Sequence, residues 1–107
     1  MIEDLILYQK VFDFLIWIYP QVNKFPKNQR FVLGQRIEQR VLDVLESVVL
    51  IAKEKFKLPH AKRASQNLEM LKILLRAAVS LKFINIKSYG VSSEKILEIE
   101  KLLGGIK

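Results

Sequence analysis

Apolar residues recur at three- and four-residue steps through almost the whole chain, and no stretch alternates with the period of two that a half-buried strand requires. That pattern restricts the chain to helices. Leu5, Tyr8, Phe12, Leu15 and Tyr19 form a first stripe, with Val11 and Ile18 beside it. Phe31, Ile37, Val41, Leu45, Val48 and Ala52 form a second; Ala61, Ala64, Leu68, Leu71, Leu75, Ala78 and Leu81 form a third. Ile96, Ile99, Leu103 and Ile106 form the fourth. Pro20, Pro26, Pro59 and Gly90 fall between these runs. Proline lacks an N–H and clashes with the preceding turn, and glycine tolerates left-handed backbone, so each marks an expected helix boundary. Asn28, and Ser92 or Ser93, suit N-caps, while Gly104-Gly105 suits a left-handed termination. The spacing predicts helices over about residues 3–19, 28–56, 60–87 and 92–104. Short connections make consecutive helices antiparallel. The expectation is an all-α, antiparallel up-down four-helix bundle, with residues 1–107 forming a single domain.

The stripes are wider than one bundle needs. Phe14, Ile16 and Trp17 carry apolar surface around almost the whole first helix, and Leu42, Val44, Val49, Leu50 and Ile51 do the same for the second. A helix that is hydrophobic all round is buried on more than one side, and a contiguous exposed apolar patch marks an interface. A homo-oligomer is therefore expected, with Phe14 and Trp17 at its interface. Gly34 joins them, because glycine within a helix costs about 1 kcal/mol relative to alanine, and close approach of two helices is the simplest reason to keep it. The competing reading is a thick core helix with a few apolar residues exposed singly.

Charge is the second constraint. The 107 residues hold 18 Lys+Arg against 11 Asp+Glu, a formal net charge of +7. Residues 20–40 sum to +4 and residues 56–87 to +6. Arg36 and Arg40 are four apart, as are Lys72 and Arg76. Like charges at that spacing disfavour a helix by roughly 0.2–0.5 kcal/mol, and a phosphate backbone would supply the missing compensation. Arg40, Lys62, Arg63, Lys72 and Arg76 are the candidate contacts on this argument. A merely solvated basic face is the alternative. There is no helix-turn-helix signature, no aromatic RNA-binding strand and no zinc knuckle. Contact with nucleic acid would then be backbone-directed, tolerant of sequence and steeply dependent on salt.

Little else in the chain carries chemistry. There are no cysteines and one histidine, His60, which beside Pro59 reads as a capping or surface residue. Glu94 and Glu98 read as surface charge, and Gly34 belongs to no phosphate-loop pattern. Nothing assembles nucleophile, base and oxyanion donor. A non-enzyme is expected, with no metal, no cofactor and no small-molecule substrate. The longest apolar runs, Phe14 to Tyr19 and Val48 to Ala52, fall far short of the roughly 20 residues of a membrane helix. Glu3 and Asp4 have the wrong sign for a secretory leader. The expected location is cytoplasmic, with no membrane partner.

Phe25-Pro26-Lys27, Arg30, Leu33-Gly34, Arg36 and Ile37 resemble the FPK..R..LG.RI signature of the accessory variability determinant (Avd) proteins of diversity-generating retroelements. Trp17 and Pro20, Leu68 to Lys72 with Leu74-Leu75-Arg76 and Leu81, and Tyr89, Ile99 and Leu102 to Lys107 extend the resemblance over nearly the whole chain. Ile106 stands where that family usually has an aromatic residue. The resemblance implies a basic, barrel-like homopentamer of four-helix bundles. It also implies a non-catalytic adaptor that binds the retroelement's reverse transcriptase and its template RNA or cDNA during mutagenic retrohoming. By position in the motif, Arg30 and Arg36 are the implied polymerase or RNA contacts, with a structural pairing across the subunit interface as the alternative. Proteins encoded in intervening sequences of large ribosomal RNA genes resemble Avd in fold and pentameric state. They provide a second reading, a structural or RNA-associated oligomer. A purely structural self-assembling bundle is a third.

Overall fold

The computed structural model describes residues 2–107. Helix α1 spans Ile2–Asn23; a short turn α2, Lys27–Gln29, leads through one π-helical turn, Arg30–Gly34, into α3, Gln35–Lys53. Helices α4, Leu58–Ser80, and α5, Ile86–Gly104, complete the fold. Sequential neighbours α1/α3, α3/α4 and α4/α5 pack together, and α5 closes the square against α1. This is the expected up-down four-helix bundle, 42 × 22 × 19 Å.

Several boundaries move. Pro20 lies inside α1 rather than ending it. It faces solvent, as does Ile16, whose carbonyl loses the amide partner, so the group freed by the missing N–H is left to water. Gly90 lies inside α5, and Ser92 is buried there, its hydroxyl donating to the Tyr89 carbonyl at 2.6 Å. The N-cap is Asn85, whose side chain accepts from the Ser88 amide at 2.7 Å. Helix α4 ends earlier than expected. The Phe83 amide donates to the Ala78 carbonyl and the Lys82 amide to that of Val79, with Lys82 left-handed at φ 66°. That is a Schellman motif with lysine where glycine is usual. Relieving the left-handed strain, Lys82→Gly should leave stability unchanged or raise it by up to about 1 kcal/mol in a urea titration.

The core follows the sequence most closely in α4, where Ala61, Ala64, Leu68, Leu71, Leu75 and Ala78 are all buried. Helix α5 contributes Ile96, Ile99 and Leu103 as expected. Helix α1 is turned around. Its buried side is Leu7, Val11, Phe14, Ile18 and Val22, whereas Leu5, Phe12 and Tyr19 of the anticipated inner stripe face out. In α3, Ile37, Val41 and Val48 are core residues as read, joined by Val44 and Ile51, while Phe31 and Ala52 are exposed. At Phe31 the reason is spacing: six residues at about 100° each place it about 120° from Ile37, off the buried stripe. The π turn lies between the two.

Gly34 does serve a close approach, but within the chain. A Cβ added there would sit 2.5 Å from Val22 Cγ1 of α1 and 3.6 Å from Phe25 Cδ2. Val22 is itself buried and β-branched, so it has little room to retreat. Gly34→Ala is expected to destabilise by about 1–3 kcal/mol despite its better helix propensity. Combining it with Val22→Ala should cost less than the sum of the two single changes, as a urea-denaturation double-mutant cycle would show.

One ionic group fixes the opposite end of the bundle. Asp4 in α1 is 4% exposed, and its Oδ2 accepts from Lys57 Nζ at 2.7 Å. The same ammonium donates to the Ile51 carbonyl of α3 at 2.7 Å. One side chain thereby ties together α1, the end of α3 and the start of α4.

Candidate nucleic-acid interface

Antiparallel connection brings the C-termini of α1 and α4 and the N-termini of α3 and α5 to one end of the bundle. The Phe25 and Phe83 rings, 5.7 Å apart, close it. Residues 20–40 and 76–90 build this end and the adjoining half of α3. They hold eight basic residues against the single carboxylate of Glu38, an excess equal to the formal net charge of +7. The rest of the chain is balanced. Burial pushes the Glu38 carboxyl above its ordinary range.

The arginines expected from the sequence divide by position. Arg36 is exposed and lines a groove of about 400 Å³ with Phe31, Val32, Gln35 and Gln39. Beside it a second groove, about 220 Å³, runs between α3 and α4 and is lined by Arg36, Gln39, Arg40, Asp43, Met70 and Leu74. Arg40 is half-buried there, donating from Nη1 to Asn67 Oδ1 at 2.8 Å, which bolts α3 to α4 and leaves the rest of the guanidinium outward. Arg30 is half-buried on the other flank, facing α1. Its Nε donates to the Phe25 carbonyl at 3.2 Å, so it braces the turn that carries Phe25-Pro26-Lys27. Arg76 is exposed near the end of α4, on the side turned toward α5.

The remaining three do not join them. Lys62 and Arg63 stand in the first turns of α4, at the far end of the bundle. Lys72 lies between Glu69 at 2.8 Å and Glu100 at 2.9 Å. Its bond to Glu69 first, and then that to Glu100, raises its pKa above the ordinary range. The compensation that the sequence left to an anionic partner comes here from α5. Four lysines missing from the sequence-derived set, Lys24, Lys27, Lys82 and Lys87, belong to the basic end. Adding charge by end of the bundle, rather than along the chain, would have found them.

Two of the three expected interface residues are corrected in the same way. Phe14 is 1% exposed and packs in the chain's own core, and Gly34 is buried against Val22. Neither has surface to offer a second subunit. Trp17 is half-buried on the α5 side of α1, 6.0 Å from the Phe14 ring and beneath Lys95, whose Nζ is 5.9 Å from the indole centroid. On the same seam Lys10 pairs with Glu98 at 2.7 Å, chiefly through a side-chain hydrogen bond that raises the lysine pKa and lowers that of the carboxyl. The α1/α5 seam is thus charged. The outward face of α1 beside α3 is apolar instead, with Leu5, Phe12, Ile16 and Tyr19 on α1 and Leu42 and Val49 on α3 all exposed. No helix among the described residues is long and apolar enough to cross a membrane.

Residues 5–107 match the family described as bAvd-like. The fold matches the solved structure of a protein of unknown function from the S23 ribosomal protein family of Bacteroides thetaiotaomicron VPI-5482. The two share 17% identity and a TM-score of 0.87, with 97% of this chain and 96% of the other covered. No curated protein matches the chain in sequence.

Proposed function

The chain belongs to the bAvd-like family, and on that premise we propose that it is the non-catalytic basic adaptor of a diversity-generating retroelement. In this role it binds the reverse transcriptase and the template RNA or cDNA, and supports mutagenic retrohoming. The observation that carries the reading is the segregation of charge. A surface evolved only for solubility spreads both signs, whereas here the unbalanced cations gather at one end of the bundle and along the adjoining half of α3. Phosphate backbones reward that arrangement through release of their condensed counterions. The chain acts as a homo-oligomer whose subunits meet through the apolar α1/α3 face, and five is the number that the family resemblance implies.

The test is light-scattering mass and RNA affinity, measured together across a salt series. The wild-type oligomer should take up structured RNA at low salt and release it as salt rises, with a log–log slope of about −0.7 to −0.9 per neutralised phosphate. Arg36→Glu/Arg76→Glu should keep the oligomeric mass and weaken RNA binding by at least about tenfold at 0.1 M salt. Lys62→Glu/Arg63→Glu, at the balanced end, should change affinity much less. Equal losses from both pairs would show that net charge, and not this end, governs binding.

A second reading draws on the S23-family likeness, which is one of fold. A structural or RNA-associated oligomer of the intervening-sequence type would need the same bundle. Gene neighbourhood separates the two: an adjacent reverse transcriptase with paired template and variable repeats supports the adaptor, and a position inside a ribosomal RNA gene supports the alternative.

A further inference from the structure

Phe31, within the basic segment 20–40, is 76% exposed. The π turn that carries it, Arg30–Gly34, is the one break from regular α geometry between Lys27 and Lys53. Such turns are rare and are found frequently at functional sites. Here the turn carries both Phe31 and Val32, and Val32 beside the ring is 55% exposed.

They line a shallow, open groove of about 400 Å³ along one helical segment, together with Gln35, Arg36 and Gln39. Gln39 gives one amide hydrogen to Asp43 at 2.9 Å, which orients the side chain and leaves its carbonyl and second N–H unused. The groove thus offers an aromatic face, two carboxamides that can each donate and accept, and a guanidinium. We propose that it takes one unpaired base of a single-stranded nucleic acid. Phe31 stacks on the base, Gln35 and Gln39 meet its polar edge, and Arg36 holds the adjoining phosphate. The inference rests on the reading of the basic end as a nucleic-acid surface and specifies what that surface recognises. An unpaired base fits better than a duplex because paired bases have both faces covered by their neighbours, leaving nothing for an isolated ring to stack on. Charge complementarity comes from the surrounding cations, which neutralise the backbone on both sides of the captured nucleotide.

The experiment uses the full chain with a short single-stranded RNA carrying one 2-aminopurine, and a blunt RNA duplex of the same composition. The wild type should bind the single strand and quench the 2-aminopurine by stacking. Phe31→Ala should abolish the quench and weaken single-strand binding by about 5- to 150-fold, the loss of one stacked base. Duplex binding should change by less than about twofold. Phe31→Trp should restore the quench. Phe56 is equally exposed, at 77%, but lies at the other end, so Phe56→Ala should alter neither signal. RNA binding with a quench indifferent to Phe31→Ala would overturn the base site and leave the adaptor reading standing. A wild type that binds no RNA at low salt would overturn both. A fall in oligomeric mass with Phe31→Ala would place the ring between subunits, and that too would overturn the base site.

Discussion

Lys57→Met should cost the bundle about 3–5 kcal/mol, seen as a lower urea midpoint at fixed protein concentration with an unchanged slope. The magnitude comes from what the substitution strands. Asp4 has a side chain only 6% exposed, and Lys57 is its cation at 2.7 Å. Without the ammonium, a carboxylate stays buried with its desolvation uncompensated, and the Ile51 carbonyl loses its donor as well. The reciprocal change should be milder. Lys57 is 25% exposed along its side chain, so Asp4→Ala lets the ammonium swing into water on its flexible stem. Replacing both, as Asp4→Leu/Lys57→Met, should recover most of the loss, since a buried pair is seldom better than well-packed apolar residues. If Lys57→Met and the double variant unfold at the same midpoint, the pair is not the source of the stability at that end.

Phe12→Asp/Ile16→Asp should reduce the oligomer to monomers while leaving far-ultraviolet circular dichroism unchanged. Phe12 is 37% and Ile16 58% exposed, so neither substitution opens the core. In the proposed assembly, however, each would bury an unpaired carboxylate. Trp17→Asp is the contrast. The indole is half-buried against Phe14 and under Lys95, so its loss should lower the melting temperature and leave the subunit count unchanged. An oligomer of wild-type mass from the Phe12/Ile16 variant would remove the α1/α3 face from the assembly.

The two helices that were easiest and hardest to read explain how far periodicity reaches. Helix α4 is amphipathic, so its stripe has one possible orientation, and six of its seven expected core residues are buried. Leu81, the seventh, falls beyond the helix end that the Schellman turn sets. Helix α1 is apolar on two sides. Leu5, Phe12 and Tyr19 satisfy the period as well as Leu7, Val11, Phe14 and Ile18 do. Nothing local decides which set turns inward; the choice rests on which neighbours the other helices offer. The excess width was legible, its location was not. The π turn left no mark in residue types, and Phe31, six residues before Ile37, is out of phase with the stripe that follows it. At the basic end, Arg36 and Arg40 stood out by their four-residue spacing. Lys82 and Lys87 were hidden because residues 56–87 were counted as one unit, though the chain crosses the whole bundle within that span.

The segregated charge also governs how the molecule meets a polyanion before any contact forms. The bundle is 42 Å long, and the Debye length at physiological ionic strength is about 8 Å. An approaching strand therefore responds to the near end alone, a strongly cationic tip or a neutral one according to orientation. The molecule is in effect a long electric dipole, and the field of the strand exerts a torque that turns the tip carrying Phe31 forward during diffusion. Productive encounters then form a larger share of collisions, and the association rate constant falls with added salt faster than the dissociation rate constant rises. In the proposed ring of subunits the tips would share one rim or alternate between two, and that arrangement would decide whether a nucleic acid meets the assembly from one side or from both.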